Sequence, residues 1–116
     1  MTEPRQVRVL SVVGTRPEAI KMAPVIQRLA AHEGFESRVL ATAQHRHMLD
    51  QVLAIFGIVP DLDLDIMRPN QDLATLTSRL ISELDAALAA EAPDLVRAQG
   101  DTTTVMAAAL ACFYRR

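Results

Sequence analysis

The densest group of residues able to do chemistry is Gly14-Thr15-Arg16-Pro17-Glu18-Ala19-Ile20-Lys21. A guanidinium offers a planar fork of donors that matches phosphate oxygens, and an ammonium on a long stem adds a point charge. Arg16 and Lys21 are therefore candidates for binding an anion. The residues just before them, Val7 to Val13, form an apolar run rich in β-branched side chains and read as a buried strand. Gly14 lets the chain turn sharply, and Thr15 can cap a helix. Pro17 suits the first helical position, where its missing N–H would have gone unpaired. A helix start here adds free N–H groups and the positive end of the helix dipole, which favour a phosphate. The same spacing also fits an ordinary strand-to-helix turn with two solvated cations. On this stretch alone the two readings are even.

Two other turns carry polar residues, Ala43-Gln44-His45 and Gln99-Gly100-Asp101. Asp101 can act as an acid, a base or the N-cap of a following helix. His45 reads as a loop residue bonded to backbone. With His47 it suggests a metal pair, but no third ligand stands nearby and residues two apart do not share a helix face. We assign no metal site.

The elements that must position these residues follow from periodicity. A first helix is predicted from Pro17 to about His32, with Ala19, Ile20, Ala23, Ile26, Leu29 and Ala30 on one face and a kink at Pro24. Ser37 to Thr42 reads as a second strand. A second helix carries Met48, Leu49, Val52, Leu53 and Phe56, with Gly57 just past its end. Pro60 to Ile66 alternates like a short half-exposed strand, although Asp is a poor strand former. A long helix from Asp72, its N-cap, to Ala92 shows a stripe of Leu73, Leu76, Leu80, Ile81, Leu84, Ala87 and Leu88, and Pro93 stops it. Asp94 to Ala98 is a strand and Thr102 to Tyr114 a last helix. Met22, Met48 and Met106 are expected to pack inside. Alternating strands and helices imply right-handed crossovers and a Rossmann-like α/β fold, a parallel sheet with helices on both faces. Ligands then bind at the carboxyl ends of the strands. All three polar turns fall at such ends, which favours the functional reading of Arg16.

Composition narrows the partners. Half of the 116 residues are hydrophobic but only 3% are aromatic, so the core must be aliphatic. A net charge of −2 with interspersed signs argues against a nucleic-acid partner bound through bulk charge. The one cysteine, Cys112, lies in an apolar helical run, which suits a reducing cytoplasmic setting. The first apolar run contains Arg8 and lacks a cleavage pattern, so no signal peptide is expected. Val105 to Tyr114 is about ten residues long, too short to span a bilayer, so no membrane partner is expected.

Taken together, the turns resemble one family. Gly14 to Pro24 is similar to the opening signature of the bacterial non-hydrolysing UDP-N-acetylglucosamine 2-epimerases. Thr42-Ala43-Gln44-His45-Arg46 with Met48 to Leu53, then Asp63 to Met67, Gly100 to Thr104 and Ala111 to Tyr114 continue the match in order. The resemblance runs from about residue 7 to the last one. Several blocks in register are far more specific than a lone glycine motif.

The resemblance implies two Rossmann-like domains facing across a cleft in the GT-B arrangement, of which residues 1–116 represent an incomplete N-terminal domain. It implies interconversion of UDP-N-acetylglucosamine and UDP-N-acetylmannosamine by elimination of UDP and its re-addition, a route that needs no cofactor. It places Arg16 and Lys21 at the nucleotide sugar and Asp101 at the reacting sugar, as a catalytic and substrate-binding carboxylate. Gln44 and His45 become candidates for a second, regulatory nucleotide-sugar site. Three positions depart from the pattern: His47 replaces Glu or Gln, Asn70 stands where an Arg can occur, and Gln99 replaces a common His. The family pattern continues with further strands, catalytic glutamates and a second domain, and full-length members are usually homodimers. The 116 residues alone are therefore expected not to epimerise. Alternatives are a hydrolysing relative, a GT-B glycosyltransferase half-domain, or a non-catalytic nucleotide-sugar binding module.

Overall fold

The structure is a computed structural model that describes residues 6–14, 16–42, 46–64, 71–98 and 103–115. Eight elements alternate along the chain: β1 (Val7–Val13), α1 (Arg16–Ala31), β2 (Phe35–Ala41), α2 (Arg46–Ile55), β3 (Leu62–Asp63), α3 (Leu73–Glu91), β4 (Leu95–Arg97) and α4 (Thr103–Arg115). The strands form one sheet in the order β3-β2-β1-β4, and every pairing is parallel. β1 lies at its centre because Val9, Leu10, Val12 and Val13 are apolar on both faces, as a strand covered on both sides must be.

The two faces are filled by different helices. Val13, Val39 and Ala41 pack under Ala19, Met22, Ala23 and Ile26 of α1 and Leu49, Val52 and Leu53 of α2. Leu10, Val12 and Leu40 pack against Leu76, Leu80, Leu84 and Leu88 of α3 and Ala107, Ala108 and Ala111 of α4. The Rossmann-like α/β fold expected from the sequence is thus the one observed.

Element ends show how far pattern reading carries. Asp72 caps α3, its carboxylate accepting from the Thr75 N–H at 2.7 Å. Gly57 has φ +68 just past α2, the left-handed conformation that glycine adopts freely. α3 ends on Ala92, which also takes up left-handed values, φ 45 and ψ 56. α1 runs as one helix through Pro24. Its buried stripe is Ala19, Met22, Ala23 and Ile26, and Ile20 and Ala30 are exposed. The expected face was therefore set too wide, since Ile20 lies about 100° around the helix from Ala19. Met106, expected to pack, is 49% exposed, because the small residues Ala107, Ala108 and Ala111 are the ones α4 turns inward. Leu73 is likewise exposed at the start of α3. β3 is far shorter than the alternation from Pro60 to Ile66 suggested. Two residues pair with Leu40 and Ala41, and Asp61 and Leu64 extend the ladder through N–H bonds to Val39 and Ala41. Residues 65–70 lie outside the described residues, as does Thr15.

Ion pairs gather at the amino ends of the strands. Arg8 on β1 meets Glu36 on β2 at 2.9 Å, and Arg38 meets Glu91 at 2.7 Å and Asp61 at 3.3 Å. The Asp94 carboxylate accepts from the Arg8 N–H. The Arg38 guanidinium is held above its usual value by its own hydrogen bond to Glu91, aided by the neighbouring carboxylates. Arg8 and Arg38 both face carboxylates, so these pairs tie strands and α3 together.

Candidate functional site

The opposite rim, at the carboxyl ends of the strands, is where a ligand would bind. In the order β3-β2-β1-β4 the chain steps from β1 outward to β3 and then returns to the other side of β1. The topological switch point therefore lies between β1 and β4, with α1 on one face and α4 on the other. Open parallel sheets bind ligands in the crevice at such a point. Val13 ends β1 beside Ala41, and the Thr42 N–H donates to the Val13 carbonyl at 3.0 Å, so β1 and β2 end side by side. Arg97 ends β4 beside Ser11, two residues short of the end of β1 and running the same way. The connection from β4 to α4 thus leaves from this rim as well.

Arg16 is the first residue of α1, directly after the turn that follows β1. Lys21 is exposed on the same helix. Five residues separate them, about 7.5 Å along the axis and about 140° around it. The backbone therefore does not put both cations on one face. Asp101, Gln44 and His45 lie outside the described residues, as do Asn70 and Gln99. Among the described residues no group of three His, Cys, Asp or Glu could hold a metal ion, and no helix is long and apolar enough to cross a membrane.

One residue of this rim went unassigned in the sequence. Glu18 is only 4% exposed, and its Oε1 accepts a hydrogen bond from the Gly14 N–H at 2.9 Å. A signal for it existed: Thr15-Arg16-Pro17-Glu18 fits the pattern of a capping box, in which a Glu three residues into the helix reaches back to the chain before it. The observed acceptor contact goes to Gly14, at the exit of β1. The Gly14 amide is therefore engaged by the protein, and Pro17 has no N–H. Two positions of this turn therefore offer no backbone donor to an anion.

Burial elsewhere is less eventful. Cys112 is half-buried beside Leu88, Pro93, Leu95 and Val96, and desolvation there pushes its thiol above the usual value. That makes it a packed thiol and a poor nucleophile.

Comparison with known proteins identifies the relatives. Residues 27–116 match the family model described as UDP-N-acetylglucosamine 2-epimerase. The UDP-N-acetylglucosamine 2-epimerase of Yersinia pestis is 57% identical over 109 residues, which cover 94% of this chain and 29% of that protein. The enzyme of Escherichia coli K12 is 56% identical with the same coverage. Among solved structures, the UDP-GlcNAc 2-epimerase of Neisseria meningitidis bound to UDP-GlcNAc superposes with a TM-score of 0.87 at 56% identity, over 94% of this chain and 30% of that one. The Methanocaldococcus jannaschii enzyme in complex with UDP-GlcNAc and UDP gives 0.86 at 29% identity, over 94% and 30%. The chain thus spans under a third of the length of these relatives. With a Rossmann-like sheet whose switch point is bordered by Arg16, and with most of its length inside the family model, this chain belongs to the UDP-N-acetylglucosamine 2-epimerase family.

Proposed function

We propose that the chain forms part of the nucleotide-sugar site of a non-hydrolysing UDP-N-acetylglucosamine 2-epimerase, an isomerase that interconverts UDP-N-acetylglucosamine and UDP-N-acetylmannosamine. The observation that carries this reading is the adjacency of β1 and β4 at the switch point, with Arg16 at the first position of α1. In this reading a base removes the C2 proton of the sugar. The C1–O bond then breaks, and its electron pair leaves on the β-phosphate of UDP. The 2-acetamidoglucal left behind takes UDP back at C1 and a proton at C2 on the opposite face. Arg16 stabilises the charge that grows on the departing diphosphate, the term that fixed cations serve best. Lys21 adds a second, longer-range charge. Asp101 addresses the sugar from the β4–α4 connection and is the catalytic carboxylate. Gln44 and His45, after β2, belong to a regulatory nucleotide-sugar site.

The complete enzyme is a GT-B protein and a homodimer, with residues 1–116 as an incomplete N-terminal domain. A second half of the cleft is required for turnover, so these 116 residues alone convert no UDP-N-acetylglucosamine. Calorimetric titration of the chain with UDP tests the site directly. Arg16→Ala is expected to weaken binding by about tenfold or more, the worth of a charge-assisted hydrogen-bond pair. Unchanged affinity in that variant sinks the assignment of Arg16.

A further inference from the structure

Glu18 poses a physical problem at this rim. A carboxylate with 4% exposure is costly to bury unless it is well hydrogen-bonded. Next to a site for a diphosphate it is also adverse electrostatically, since like charges repel. Its bond to the Gly14 N–H spans the exit of β1 and the first turn of α1. That bond does two things at once. It fixes the direction in which the chain leaves the central strand, and hence where α1 and its first residue begin. It also withdraws the Gly14 amide from any bound anion, and Pro17 supplies no N–H in its place. A glycine-rich phosphate cradle works by pointing several such amides at the ligand. Here the Gly14 amide is taken by Glu18 and Pro17 has no N–H, so two positions of the turn take no part in such a cradle.

We propose that Glu18 is a positioning residue for the anion-binding turn. By holding the Gly14 amide it fixes where α1 begins, and with it the place of Arg16 beside the switch point. The inference rests on the nucleotide-binding reading of this turn given above.

The test uses the chain with UDP as probe, followed by NMR of the Gly14 amide and by titration. In Glu18→Ala, Gly14 hydrogen-exchange protection and UDP affinity both fall by about tenfold, the worth of a hydrogen bond to a charged acceptor. Glu18→Gln keeps an acceptor oxygen of the same reach, so both quantities stay within about threefold, the difference between a charged and a neutral acceptor. Ile26→Val, in the buried stripe of α1 away from the turn, lowers stability yet leaves the UDP affinity unchanged, which separates positioning from mere support of the helix. If Glu18→Ala does not fold, Glu18→Asp replaces it, because the shorter side chain keeps the charge and loses the contact. Loss of Gly14 protection with unchanged UDP affinity overturns the positioning role and leaves the nucleotide site standing, and so does a Glu18→Gln variant as impaired as Glu18→Ala. A wild-type chain that does not bind UDP, or binds it independently of Arg16, overturns the nucleotide reading and this inference with it.

Discussion

Ser11 occupies the middle of β1 with no exposure, and its hydroxyl has no hydrogen-bond partner among the described residues. A buried unsatisfied hydroxyl costs about 1–3 kcal/mol, and removing it recovers part of that. Ser11→Ala is therefore expected to leave stability unchanged or raise it by about 1 kcal/mol, measured by urea unfolding. A loss larger than that would show the hydroxyl to be engaged in solution. Residue-level reasoning from sequence was strongest where a type has few uses. The glycine turn and Pro17 pointed to a helix start at Pro17, and the helix begins one residue earlier, at Arg16. It was weakest where exposure depends on helix phase to within one position, as at Ile20 and Met106. Glu18 escaped because an acidic residue in a first helical turn is so ordinary that its burial, the informative property, has no mark in the sequence.

At the scale of elements, α3 is limited by two ends that differ in quality. Hydrogen bonds from the Thr75 side chain and then the Thr75 N–H hold the Asp72 carboxyl below its ordinary value of 3.8. A lowered folded value means that the cap's contribution is fully present above 3.8 and is lost as pH falls through the lower value. Asp72→Ala should thus lower the melting temperature at neutral pH. The gap between variant and parent should close as both are taken into strong acid, and a gap independent of pH would contradict the assignment. At the other end, Ala92 holds φ 45 where glycine is the usual residue. Left-handed backbone costs an L-residue about 1–2 kcal/mol, and glycine returns about 0.5–1 of that through its freer unfolded chain. Ala92→Gly should therefore stabilise by about 0.5–1 kcal/mol in the same unfolding measurement. Both ends were readable as a cap and a proline stop. The left-handed alanine was not, because nothing in its type requires that conformation.

At the scale of the molecule, alternation of strand and helix implied a parallel sheet, but the order β3-β2-β1-β4 is not written in any local pattern. It follows from which apolar surfaces α3 must cover on its return across the sheet, a long-range choice among similar aliphatic faces. That order leaves β3 and β4 as the outer strands. β3 has two residues, too short to template another strand. β4 is longer, Leu95 on it is 52% exposed, and α4 beside it shows Met106, Phe113 and Tyr114, the last 67% exposed. A strand edge with no partner among the described residues, next to exposed apolar side chains, favours pairing with another chain. The 116-residue chain is thus expected to associate as its concentration rises from micromolar toward millimolar. Leu95→Lys should reverse this by placing a charge on the edge, with the fold preserved because Leu95 is outside the buried core. Sedimentation equilibrium on both proteins decides the matter: association that is unchanged in Leu95→Lys places the contact elsewhere, and a parent that stays monomeric throughout means that β4 is already protected.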